Sequence, residues 1–235
     1  MTKKVCIVTG VGQGTGQGVV RRFAEGGYRV AMLTRNMERL TRFEREIAET
    51  TAYPCDISNE AEVNATVAAV AEQLGPPTVL IHNAVSFEAI FGTFLEIDPA
   101  ALQHNFQVNT MGLLYMARAV TPYMLEAGQG AIMVTGNTAS RRGRPQFAAF
   151  APTKTAQRIL AESIARALGP QGIHVSFLVI DGGIDMPFAR ALLKDKPDDF
   201  FIKTSAIADT IWHIVHQDRS GWTFELDIRP FGEEW

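Results

Sequence analysis

The stretch Val5-Cys6-Ile7-Val8-Thr9-Gly10-Val11-Gly12-Gln13-Gly14-Thr15-Gly16-Gln17-Gly18 is a short apolar run that breaks into glycines and then into a helical pattern. It reads as a buried strand, a turn and a helix N-terminus. With no Cβ at Gly10, Gly12, Gly14 and Gly16, the turn can take positive φ, and a pyrophosphate can approach the backbone and the first amides of the helix. A negatively charged ligand is expected there. The widespread G-x-G-x-x-G pattern is absent, because registers from Gly10, Gly12 and Gly14 place Thr15, Gln17 and Val19 where the third glycine should stand. T-G-x-x-x-G-x-G fits instead, as Thr9, Gly10, Gly14 and Gly16. Taken alone, the glycines also fit a tight turn without a ligand.

Outward from this turn, Val19, Val20, Phe23 and Ala24 recur at helical spacing until Gly26-Gly27. Tyr28 to Leu33 reads as a second strand. Asn36 caps a helix to about Glu49, Thr51 to Cys55 is strand-like, and Ser58 or Asn59 caps a helix to Leu74. Thr78 to His82 makes a fourth strand. Asp98-Pro99 opens a long helical region to Gly128, with the proline at the first helical position. Ala131 to Thr135 is a fifth strand, Pro145 to Leu168 is helical, and Ile173 to Ile180 is a continuous apolar run suited to a strand covered on both faces. Ser205 to His216 and Thr223 to Ile228 add a helix and a strand. This alternation predicts an α/β fold, a doubly wound parallel seven-stranded sheet in one domain over residues 1–235. In such sheets ligands sit beyond the carboxyl ends of the strands. Six segments fall there: 10–18, 34–36, 56–57, 83–87, 136–144 and 181–186.

At 235 residues, with 46% hydrophobic and 20% charged residues, the composition is that of a globular protein. A net charge of −3 gives no general attraction for nucleic acid or anionic lipid, so neither is expected as a partner. No apolar run approaches the roughly 20 residues of a membrane span, and the residues after Lys3-Lys4 are too few for a signal peptide, so a cytoplasmic location is expected. Cys6 and Cys55 lack metal-ligand spacing and read as small buried apolar residues; no metal is expected.

On these residues the chain resembles the short-chain dehydrogenase/reductase family from its first strand to its last. The resemblance implies a Rossmann fold that binds a nicotinamide dinucleotide, with Thr9, Gly10, Gly14, Thr15 and Gly16 at the glycine turn. It implies Asp56, with Ile57 beside it, at the adenine. His82-Asn83-Ala84-Val85 stands where the family reads Asn-Asn-Ala-Gly, so Asn83 and Ala84 match. Gly182 stands in an Asp181-Gly182 pair that replaces the usual Pro-Gly. Asn109 falls at the family's catalytic-site asparagine and Lys154 at its active-site lysine, where it also binds ribose. At the end of the second strand an acidic residue would favour NAD, whereas a nearby arginine accommodates a 2′-phosphate. Thr34 followed by Arg35 therefore favours NADP(H) over NAD, although Gln13 is not the extra basic residue that many NADP-using relatives carry.

The chemistry departs from the family. Its tyrosine, four residues before the lysine, is here Phe150, and its serine, thirteen residues earlier, is Asn137. An amide can donate to a developing oxyanion, but a benzene ring supplies no proton, and losing a positioned proton donor typically costs ~10²–10⁴-fold. Phe150 and Lys154, spaced i and i+4, are expected on one helix face looking toward the cofactor. Pro152 places the helix start within a turn of it or bends the helix. Thr138, Ser140 and Thr153 are poor acids, and His82 reads as a structural histidine. Arg141, Arg142 and Arg144 either attract an acidic substrate or form a solvated loop, and Asp181 is either an unusual acid or a helix cap.

The expectation is thus a divergent NADP(H)-binding oxidoreductase acting on a small carbonyl or alcohol compound. Asn109, Asn137, Phe150 and Lys154 surround its reactive centre. The alternative is a catalytically silent nucleotide-binding or interaction protein. The longer epimerases and dehydratases are disfavoured, since no sequence remains for their substrate domain. The resemblance also implies a homodimer or homotetramer.

Overall fold

The computed structural model describes residues 3–232. A seven-stranded parallel sheet forms its centre, in the order β3-β2-β1-β4-β5-β6-β9. The strands are β1 (Val5–Thr9), β2 (Arg29–Thr34), β3 (Thr50–Pro54), β4 (Pro77–His82), β5 (Gly130–Asn137), β6 (Ile173–Ile180) and β9 (Glu225–Ile228). β7 (Gly183–Ile184) and β8 (Phe201–Ile202) form a separate parallel pair beyond the end of β6. The helices are α1 (Thr15–Glu25), α2 (Met37–Glu46), α3 (Glu60–Leu74), α4 (Pro99–Phe106), α5 (Gly112–Glu126), α6 (Ala151–Leu168), α7 (Pro187–Leu192) and α8 (Thr204–Val215). Among the described residues no helix is long and apolar enough to cross a membrane.

Alternation along the strands splits the core into two layers. Val5, Ile7, Leu33 and Leu80 pack with Val67 of α3, Met116 of α5 and Ala161 of α6. Their neighbours Cys6, Val8, Val30, Met32 and Ile81 pack with Val19 and Phe23 of α1, Phe43 of α2 and Ile211 of α8. All eight residues of β6 are buried, as its unbroken apolar pattern requires. Cys6 and Cys55 are buried free thiols, and burial pushes both up, Cys55 to about 11. Asn36, Asn59 and Asp98 each accept hydrogen bonds from first-turn amides, with Pro99 in the first turn behind Asp98.

Local competition moves several boundaries. α2 stops at Glu46, and Glu49 then takes a φ of 63° into β3. The region expected as one helix to Gly128 ends at Glu126 and is interrupted by a π turn, Gln107–Met111. α6 begins at Ala151, not Pro145: turns at Phe147 and Phe150, and the Gly92 amide on the Gln146 carbonyl at 2.8 Å, hold residues 145–150 out of helix. Pro152 falls in the first turn, where no amide hydrogen is needed.

Sequence order reverses direction between β1 and β4, and the crevice that binds ligands in such sheets opens at that switch. Gly10 has φ 68°, and a Cβ there would lie 2.4 Å from the Ala84 Cα. Gly10→Ala is expected to lower stability by about 3 kcal/mol through combined strain and overlap. At ~2–4 °C per kcal/mol this is a fall of roughly 6–12 °C in Tm, measured by calorimetry.

Candidate active site

The strand tips that floor the crevice are tied by one polar network. Buried Thr9 accepts, at Oγ1, the backbone amides of Asn83 (3.1 Å) and Ala84 (3.2 Å). Asn83 Nδ2 donates to the Gly10 carbonyl at 3.1 Å, and Thr135 Oγ1 donates to Asn83 Oδ1 at 3.1 Å. Thr9, Gly10, Asn83 and Ala84 therefore lock the glycine turn to β4 and β5. A Cβ on Gly16 would lie 2.8 Å from the Gly10 carbonyl oxygen, so α1 starts pressed onto the turn. At Gly14 the added atom would lie 3.1 Å from Met186 Sδ, which places the segment before α7 over the turn.

Toward β2 and β3, a slot of about 90 Å³ is lined by Gly10, Thr34, Arg35, Asp56, Ile57 and Ala84, among others. Burial alone would raise the Asp56 carboxyl. The Ser58 hydroxyl (2.6 Å) and amide (2.9 Å), helped by the charges of Arg35 and His104, hold it below the usual carboxylate range. Sequence reading missed Arg39: one guanidinium nitrogen lies 3.7 Å from where a Cβ on Gly12 would stand. The first turn of α2 thus brings a guanidinium beside the glycine turn.

Toward β5 and β6, Thr15, Asn83, Thr135, Asn137, Lys154 and Gly182 line a cavity of about 260 Å³ with Phe87 and Met186. Lys154 is 2% exposed. Its Nζ donates to the Thr135 carbonyl at 3.2 Å and to Gln157 Oε1, and burial lowers its pKa to about 7. Gln157, fully buried, also donates from Nε2 to the Asn109 carbonyl at 2.7 Å. It is a site residue without a sequence signal beyond its place one turn after Lys154. Two residues that line this cavity, Thr15 and Asn137, each hold a buried oxygen, Oγ1 and Oδ1, without a partner among the described residues. Buried oxygens are normally satisfied, so the cavity offers free hydrogen-bonding capacity to a bound polar molecule.

Other expected groups are already committed. Asn109 sits in the π turn, where its side chain accepts the Ser86 amide at 2.7 Å and donates to Thr153 Oγ1 at 3.0 Å. Thr153 donates in turn to the Phe150 carbonyl at 2.8 Å, and Ser140 to the Asn137 carbonyl at 2.6 Å. His82 is buried, with Nδ1 3.5 Å from Thr9 Oγ1. Burial, then the Lys154 charge, lower it to about 3, so it is neutral near pH 7.

Phe150 does not line the cavity of Lys154. Its ring, 3% exposed, packs on Phe87 at 5.7 Å and faces an adjoining cavity of about 380 Å³. Phe150 is the N-cap of α6, and its carbonyl accepts the Lys154 amide at 3.3 Å. The two cavities share Phe87, Asn137, Ile180 and Gly182. Asp181 is no helix cap, since α7 follows Met186. Its carboxylate accepts from the Thr138 hydroxyl and is paired with Arg229.

Comparison with known proteins agrees with this arrangement. The family model described as short chain dehydrogenase matches residues 4–197. A short-chain dehydrogenase from Rhodopseudomonas palustris is 32% identical, superposes with a TM-score of 0.83, and matches 97% of this chain and 99% of its own. A 3-ketoacyl-(acyl-carrier-protein) reductase from Brucella melitensis, solved with NADH, is 27% identical with a TM-score of 0.87 over 96% of each chain. A metagenomic short-chain oxidoreductase solved with NADP is 25% identical with a TM-score of 0.84 over 98% of each chain.

Gln157→Leu leaves the Asn109 carbonyl and the Lys154 amine each short of a buried partner. At ~1–3 kcal/mol for each stranded group, the variant is expected to lose about 3 kcal/mol of stability in urea unfolding.

Proposed function

The chain belongs to the short-chain dehydrogenase family of NAD(P)-dependent oxidoreductases, and on that premise we propose that it interconverts a small carbonyl compound and its alcohol with NADP(H) as preferred cofactor. One observation carries the reading: three cavities run along the carboxyl ends of the strands, and the middle one joins Lys154 to two unpartnered buried oxygens. A nicotinamide dinucleotide fits this row. Its adenine end belongs in the slot with Asp56 and Ile57, its pyrophosphate at the glycine turn beside Met186, which covers Gly14, and its nicotinamide end beside Thr15, Asn137 and Gly182. Arg35 and Arg39 would hold a 2′-phosphate, because a guanidinium meets a phosphate bidentately. When bound, the cofactor supplies or accepts hydride.

The proton must then come from the chain. Among the described residues lining the middle cavity, Lys154 alone titrates. Two of its Nζ hydrogens go to Thr135 and Gln157, and an ammonium has a third to give. With a pKa near 7, it can donate and recover a proton at neutral pH, which is the condition for an effective general acid. Asn137 Nδ2, whose side chain has no protein partner among the described residues, polarises the carbonyl oxygen. Phe150 contributes an apolar wall and no proton. Asn109 acts through others: it sets Ser86 and Thr153 by its side chain and Gln157 by its carbonyl.

Two measurements test this. In reduction, Lys154 must be protonated, so kcat/KM across a carbonyl panel is expected to be level below about pH 7 and to fall about tenfold per pH unit above it. Turnover seen only after Phe150→Tyr combined with Asn137→Ser would instead mark the natural protein as catalytically silent. In equilibrium titration, NADPH is expected to bind more tightly than NADH. Arg35→Ala with Arg39→Ala should weaken NADPH about tenfold or more and leave NADH unchanged.

A further inference from the structure

The cavity beside Phe150 has a lining of two chemical kinds. Phe87, Ile90, Phe147 and Phe150 make it apolar, while among the described residues that line it Arg142, Arg144 and Arg229 are cationic and Asp181 is anionic. The arginines after β5 do not all face this space. Arg141 is tied outward to Glu225 and Asp227 of β9, and Glu225 is held in turn by Arg158 of α6. This clamp fixes the loop from which Arg142 and Arg144 reach the cavity.

Asp181 does not cancel them. One of its oxygens is taken by Arg229 and the other by the Thr138 hydroxyl, with Arg142 at 3.9 Å from the latter. Arg144 has no ion pair among the described residues. Among the described residues positive charge is therefore in excess at the rim of a partly apolar recess, where Arg142 and Arg144 are solvent-exposed. At about 380 Å³ the recess lies at the small end of ligand cavities.

We infer that the substrate of this site is a compact anion: an oxyanion group, carboxylate or phosphonate, held by Arg142 and Arg144, carried on an apolar or aromatic body that packs on Phe87, Phe147 and Phe150. This rests on the oxidoreductase reading above and names the substrate class for it. The apolar body would bring the reactive carbon toward Asn137 and Gly182, the residues that the two cavities share. It also separates the roles of two arginine groups: Arg35 and Arg39 for the cofactor phosphate, Arg142 and Arg144 for the substrate.

Benzoylformate, benzoylphosphonate and the neutral methyl benzoylformate serve as probes, titrated calorimetrically into the protein with and without saturating NADP+. The acids are expected to bind about tenfold or more tightly than the ester, and more weakly as salt rises. Which acid binds better separates a carboxylate from a phosphonate site. Arg142→Gln with Arg144→Gln should abolish that preference while the affinities for the ester and for NADP+ stay within twofold of the natural protein, the latter also showing that the variant is folded. Arg144→Gln alone should give part of the loss. An ester that binds as well as the acids, acids that do not bind at all, or a double variant with undiminished acid binding each overturns the inference. Acids that bind to a protein that does not bind NADP+ would uphold the anion site and sink the cofactor reading.

Discussion

No atom can be placed between Gly10 and Ala84, and the functional end of the molecule is arranged around that contact. The left-handed conformation at Gly10 turns the chain out of β1 just where the tip of β4 passes, and Thr9 and Asn83 fasten the two by side-chain to backbone bonds. Thr135 extends the same network to β5, and its carbonyl receives Lys154 from α6. Four elements distant in sequence thus share one chain of hydrogen bonds. Displacing the turn by an ångström would be transmitted to the amine on the far side of the crevice, because close-packed interiors do not absorb such shifts locally.

Much of this was legible in the sequence, for identifiable reasons. Strands covered on both faces must be apolar throughout, so Ile173–Ile180 could be read without ambiguity. Asn36, Asn59 and Asp98 announce helix starts because a short polar side chain is the cheapest partner for first-turn amides. The late start of α6 was hidden, because the bonds that hold residues 145–150 out of helix come partly from Gly92, more than fifty positions earlier. Arg39 carries no mark either, since only the fold shows that the first turn of α2 lies beside Gly12. Met186 is hidden for the same reason.

Gln157 shows the limit most clearly. On a helical wheel it is an ordinary amide one turn after a lysine, yet it connects Lys154 with the carbonyl of Asn109, forty-eight residues away. A buried amide can bond to an amine and a carbonyl at once because it is both acceptor and donor. A carboxylate in its place could serve only the amine, and would also hold a charge there. The neutral bridge satisfies Lys154 without fixing it as a cation.

That neutrality bears on the missing phenol. A tyrosine at 150 would be a group whose ionised form gains from a nearby ammonium, so a permanently charged lysine would be useful to it. Phe150 makes no such demand. Nothing negative among the described residues lining the cavity faces Lys154, and Asp181 in the adjoining cavity is engaged by Arg229 and Thr138. Burial then acts on the amine without opposition and brings it to about 7. Burial sets that value, and the ring of Phe150 faces the adjoining cavity instead.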